Sequence, residues 1–223
     1  MNPLFTPEKV SVCQTCGECC KRYAISVLPA EVQKQAAALK LDLKSYIGLY
    51  TRLLLQIVPF SSSNHPLALP TTLLPMSVAQ KLKAEGMDSP FVMILPMVGL
   101  RKKEYCVFFA PQPFGGSIHS SKPLQCSIFP FASLNRNEDY AKSHDFCGLE
   151  KISSPTAYTF AQQEVQRDRM RVYFDSVAEK GMSGVWGMLP AEGDIIFNGK
   201  LLAPISLEQA NEWVQWAREK NMR

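Results

Sequence analysis

Four of the chain's seven cysteines fall within eight residues, in the run Cys13-Gln14-Thr15-Cys16-Gly17-Glu18-Cys19-Cys20. Thiols two residues apart sit on one side of a tight turn and can reach a common ion. Three in succession at that spacing form a ligand run of the kind that holds an iron–sulfur cluster. Gly17 suits the turn, because it accepts backbone angles that other residues avoid. Cys19 and Cys20 are adjacent, and neighbouring side chains diverge by about 100° on a helix and point to opposite faces of a strand. The two thiols can therefore serve different sites. Buried cysteine also packs as a small apolar side chain. Four at this regularity exceed what packing asks for, so the run reads as a metal-binding motif. Lys21 and Arg22 beside it favour thiolate formation. Plain solvation of both charges is the alternative.

The rest of the chain has to position that run. Its 223 residues suffice for one large domain or two small ones. Residues 1–150 carry the cysteines and form a metal-binding region. Residues 151–223 read as a helical part packed on it, within a single domain. The net charge of +4 is mild and no long run of one sign occurs, which gives nucleic-acid binding no support. The longest nearly apolar stretch is residues 91–100, against about 20 residues needed to span a bilayer, so no membrane helix is expected. Residues 1–12 hold two prolines and no apolar centre, unlike a secretory signal. The expected location is the cytoplasm, where thiols stay reduced. An odd cysteine count also argues against a closed disulfide framework.

Local signals outline the elements. Residues 23–28 suit a short strand. Pro29 at a first helical position and Glu31 in the first turn start a helix over residues 29–40. Asp42 can cap a second helix, running toward Leu55. Residues 59–75, rich in Pro and Ser, read as a long surface loop with His65 on it. Residues 77–85 suit a short helix ending at Gly86. Residues 91–95 and 105–109 read as strands about an Arg101-Lys102-Lys103 turn, whose charges are expected in solvent. Residues 159–180 form a long amphipathic helix stopped by Gly181, with Phe160, Val165, Met170, Tyr173, Phe174 and Val177 facing a core. Asn198-Gly199 centres a hairpin. Ser206 caps a final helix with Trp213 and Trp216 on its apolar side. The expected class is α+β: a mainly helical, metal-stapled domain with a few short strands and long loops.

Cys106, Cys126 and Cys147 lie far from the opening run, and each alone reads as a buried thiol. Cys126 stands in Lys122-Pro123-Leu124-Gln125-Cys126-Ser127-Ile128-Phe129-Pro130-Phe131. With the opening run, this resembles a bacterial and archaeal cysteine-cluster family that chelates zinc or iron. That family is built on Cys-x-x-Cys-x-x-Cys-Cys, a later Cys after an aromatic-rich strand, a Pro-x-x-Cys-Arg-x-Phe-Pro-Phe segment and a last Cys. Flagellin lysine N-methylases resemble the same family. The resemblance covers roughly residues 10–148. It implies that Cys13, Cys16, Cys19, Cys20, Cys106, Cys126 and Cys147 bind metal. The chain departs from the pattern at Gly116, where the family has an eighth cysteine, at Lys122 and at Ser127, where the family has arginines. His119 or His144 could replace the missing donor, and His144 has ligand spacing to Cys147.

Three functions follow. The first is a metalloprotein holding zinc, iron or an iron–sulfur centre, since one thiolate set serves all of these. The second, implied by the resemblance, is a methyltransferase-like enzyme acting on protein lysines. The chain shows no glycine-rich nucleotide segment and no catalytic triad or carboxylate pair for it. The third is a structural zinc module that presents the helical part, with Trp186, Trp213 and Trp216, to a protein partner. Core packing is the simpler use of those tryptophans.

Overall fold

The computed structural model describes residues 17–109, 121–128, 157–198 and 200–221. In chain order the elements are α1 (Glu18–Arg22), β1 (Ser26–Val27), α2 (Pro29–Ala38), α3 (Leu43–Tyr50), β2 (Thr51–Phe60), β3 (Ala68–Pro70), α4 (Met76–Ala84), β4 (Phe91–Leu100), α5 (Leu124–Ile128), α6 (Ala157–Trp186), β5 (Glu192–Phe197), β6 (Lys200–Ser206) and α7 (Leu207–Asn221). They belong to two units, one of residues 1–42 and 100–172, the other of residues 43–99 and 173–223.

The second unit is organised by apolar strands. Its strands lie in the order β4-β2-β5-β6, with β3 paired to β4. β2 and β5 run parallel, while β3–β4 and β5–β6 are antiparallel, so the sheet is mixed. Leu53, Leu55, Ile57 and Ile94 are fully or almost fully buried. Gly193 sits opposite Leu53, and a side chain there would run into the Leu53 carbonyl. Arg52 grips Asp194 with both ends of its guanidinium, at 2.9 and 3.0 Å. Trp186 donates its indole N–H to the Tyr173 hydroxyl, which donates to the Pro96 carbonyl, both at 2.9 Å, so two buried polar tips are satisfied.

The first unit is built of shorter pieces. α1 has five residues, β1 two and α5 five. The exceptions are residues 157–172 of α6, which lie in this unit, and α2. Pro29 fixes its first turn, and the Glu31 carboxylate accepts the Leu28 N–H at 2.9 Å, one half of a capping box.

Several expectations held. α2, the helix before Gly86 and the Asn198 hairpin formed, with Asn198 at φ 48° as such a turn requires. Ser206 and Gln209 cap α7 reciprocally. The long helix α6 breaks at Gly181, where φ is 73°.

Others are corrected. The class is α+β, but the strands are not few and short: β2 and β4 each have ten residues. The second helix ends at Tyr50, and Thr51 opens β2. Leu54 is buried along with Leu53 and Leu55, so the apolar run at the start of β2 shows no alternation in sequence to separate it from a helix. The expected loop over residues 59–75 contains β3 and the buried Leu67. Residues 105–109 are no strand; one isolated bridge joins Lys102 to Cys106. Trp213 is buried, whereas Trp216 is 41% exposed and Val165 is 38% exposed, so neither belongs to the core face assigned to it. Phe160 lies outside the residues whose side chains are described. No described helix is long and apolar enough to cross a membrane.

Candidate metal centre

Three segments of the first unit carry the described cysteines: α1 with Cys19 and Cys20, the turn at 101–109 with Cys106, and α5 with Cys126. Gly17 enters α1 at φ 64°, the left-handed region that glycine adopts without strain. Its open side is filled by the Phe109 ring, so closely that any Cβ at residue 17 would collide with it. Phe109 stacks on Tyr105, with ring centres 5.0 Å apart, and Lys21 lies over the Tyr105 ring. The Cys106 N–H donates to the Cys20 carbonyl at 3.0 Å. The glycine in the opening motif is therefore the seat on which the Cys106 turn packs.

α5 is tied down by side chains. Gln125 Oε1 accepts from the Ser26 N–H at 3.2 Å and from the Ser26 hydroxyl at 3.0 Å. Gln35 donates to the Ser121 carbonyl at 3.2 Å. The Leu124 N–H donates to Glu31 Oε1 at 2.8 Å.

The sulfurs of these segments act on one another. The Cys20 thiol donates to Cys19, which holds Cys19 below and Cys20 far above the ordinary thiol range. Burial and then the Cys20 neighbours Cys19, Cys106 and Cys126 add to the rise at Cys20. Burial pushes Cys106 up, with Cys19 adding and Lys102 opposing. Burial pushes Cys126 up as well, reinforced by Cys19 and Cys106 and opposed by Lys122. Thiols that resist ionisation because they face each other and lack water are the group a cation would relieve, since it supplies the missing opposite charge. The donor type fits zinc, iron and iron–sulfur centres alike. Among the described residues, no three His, Cys, Asp or Glu side chains are gathered closely enough to hold an ion.

Cys13, Cys16 and Cys147 lie outside the described residues, as do Gly116, His119 and His144. His65 is described, and its Nδ1 accepts the Leu67 N–H at 3.1 Å, an ordinary loop role. Arg101 and Lys103 of the basic triplet are exposed as expected, whereas Lys102 is partly desolvated and faces Cys106 and Cys20. Lys21 and Arg22 instead face the carboxylates of Glu104 and Glu18, at 3.5 and 3.2 Å. Lys122, noted only as a departure from the arginine pattern, acts on Cys19 and Cys126. Glu31 and Gln125 were not read as site residues. Glu31 has the spacing of a helix cap, and nothing local signals its second partner at residue 124.

Residues 12–148 match the family described as "CxxCxxCC: Putative zinc- or iron-chelating domain", and the chain belongs to that family. Comparison with curated proteins and with solved structures found no match.

Proposed function

We propose that the chain is a metal-binding protein in which Cys13, Cys16, Cys19, Cys20, Cys106, Cys126 and Cys147 supply thiolate ligands to zinc, iron or an iron–sulfur centre in the reducing cytoplasm. The observation that carries this reading is the backbone bond by which the Cys106 N–H donates to the Cys20 carbonyl at 3.0 Å, which joins two cysteine-bearing segments far apart in the chain. Membership in a zinc- or iron-chelating family supports it. A bound cation would supply the positive charge that turns these thiols into thiolates. Lys102 and Lys122 offset part of the remaining negative charge. Gly17 and Phe109 hold the Cys106 turn against α1. Seven cysteines cannot close two four-thiolate sites, so a second site would take another donor, for which His144 has better ligand spacing than His119, or would stay open.

Elemental analysis of protein purified without oxygen tests this. At least one equivalent of zinc or iron is expected. Sulfide-to-iron absorption identifies the iron–sulfur form, and a colourless zinc protein identifies the other. His144→Ala lowers the stoichiometry and His65→Ala does not. Metal-free protein that is fully folded overturns the reading, and equal metal in both variants removes His144 from it.

A further inference from the structure

We infer that Glu31 is a positioning residue, a latch that holds the Cys126 arm on helix α2. One carboxylate serves two backbone donors: Oε2 takes the Leu28 N–H at 2.9 Å and Oε1 takes the Leu124 N–H at 2.8 Å. The first bond caps α2. The second fixes the first residue of α5, two positions before Cys126. Both donors belong to helix starts, where N–H groups have no partner within their own helix. Charged acceptors make the stronger hydrogen bonds. Gln125 to Ser26 and Gln35 to Ser121 add weaker bonds on either side of the latch. A five-residue helix does not hold its place by its own hydrogen bonds. The arm is therefore set by Glu31, and the sulfur of Cys126 is presented to Cys19 and Cys106 by a carboxylate engaged with two backbone donors.

The consequence for metal rests on the ligand reading above; the latch itself does not. The test is iodoacetamide labelling of the full-length chain, read by peptide mass as the ratio of modification at Cys126 to that at Cys106. Glu31→Gln presents an amide N–H to one of the two donors and loses that bond. Leu124→Pro deletes the Leu124 N–H alone; proline is favoured at a first helical position, and the α2 cap stays intact. Both variants should raise the ratio on the order of tenfold, the worth of a hydrogen bond to a charged group. General loosening would raise both cysteines together and leave the ratio unchanged. An unchanged ratio in Leu124→Pro overturns the latch. Absence of metal in the parent protein would defeat the ligand reading and leave the ratio test standing.

Discussion

The two units solve the folding problem by different means. In the residues 43–99 and 173–223 unit, strands of ten, ten, six and seven residues bury Leu53, Leu55, Ile57, Ile94 and Phe197 in one sheet. Burying a side chain of this kind contributes roughly 1.5–3 kcal/mol, and a sheet face collects many such contributions. In the cysteine-bearing unit, the described elements α1, β1 and α5 have five, two and five residues. They are joined by Glu31, Gln35, Gln125, the Cys20–Cys106 backbone bond and four cysteines that repel one another as thiolates. One region holds itself by apolar area. The other also buries apolar side chains, among them Val27, Val32, Ala36 and Phe108, and adds polar tethers between its cysteine-bearing segments. We propose that metal binding and folding are one quantity in the cysteine unit and two separate quantities in the sheet unit.

The sharpest way to break that contrast is Cys20→Ser. Structural zinc in small peptide sites contributes about 10–16 kcal/mol of binding that is also folding free energy. The variant should lose metal and lower the melting temperature of the cysteine unit by the largest margin of any single change. Circular dichroism and elemental analysis of one preparation check both. A variant without metal and with an unchanged melting curve would make the cysteines passengers of the fold.

Gly193→Ala attacks the other side of the comparison. The added methyl meets the Leu53 carbonyl across the parallel β2–β5 pair, where neither backbone can yield. We expect a loss of about 3 kcal/mol in urea unfolding. Metal per folded chain should not change, and a variant that also loses metal would merge the two regions into one.

The smallest effect concerns pH. Burial raises the Asp194 carboxyl above its ordinary value of 3.8, and Arg52 only partly pulls it back. A group that binds its proton more tightly when folded stabilises the fold below its unfolded pKa. That contribution fades as pH rises through the higher folded value. Unfolding free energy measured upward from pH 3.8 should therefore carry a declining component that Asp194→Asn abolishes. A slope unchanged in the variant would show that the ion pair with Arg52 fully offsets burial.

The sequence could be read where the cause of structure is local. Pro29 with Glu31, Asn198 before its glycine, and Ser206 with Gln209 each act within four residues, and each element formed where they placed it. β2 escaped because Leu53, Leu54 and Leu55 are buried in succession, so its apolar run has no period in sequence although Arg52, Gln56 and Val58 are only half-buried. The opening cysteine run stands out by its spacing alone, and Cys13 and Cys16 of it lie outside the described residues. The distant cysteines needed the resemblance, because nothing near Cys106 or Cys126 distinguishes a ligand from a core thiol. The Phe109 seat on Gly17 and the second bond of Glu31 were not legible at all. They join residues that only folding brings together, 93 positions apart in the case of Glu31 and Leu124.

We propose that metal adds to the stability of the cysteine unit and not to that of the sheet unit. Hydrogen exchange of the full chain, read by peptide mass before and after a strong chelator, tests it most directly. We predict that peptides covering residues 17–28, 100–109 and 121–128 lose protection when metal is removed. Peptides from β2 and β5 should keep theirs, since protection there comes from the sheet. Equal loss in both units, or no loss in the cysteine-bearing peptides, would contradict it.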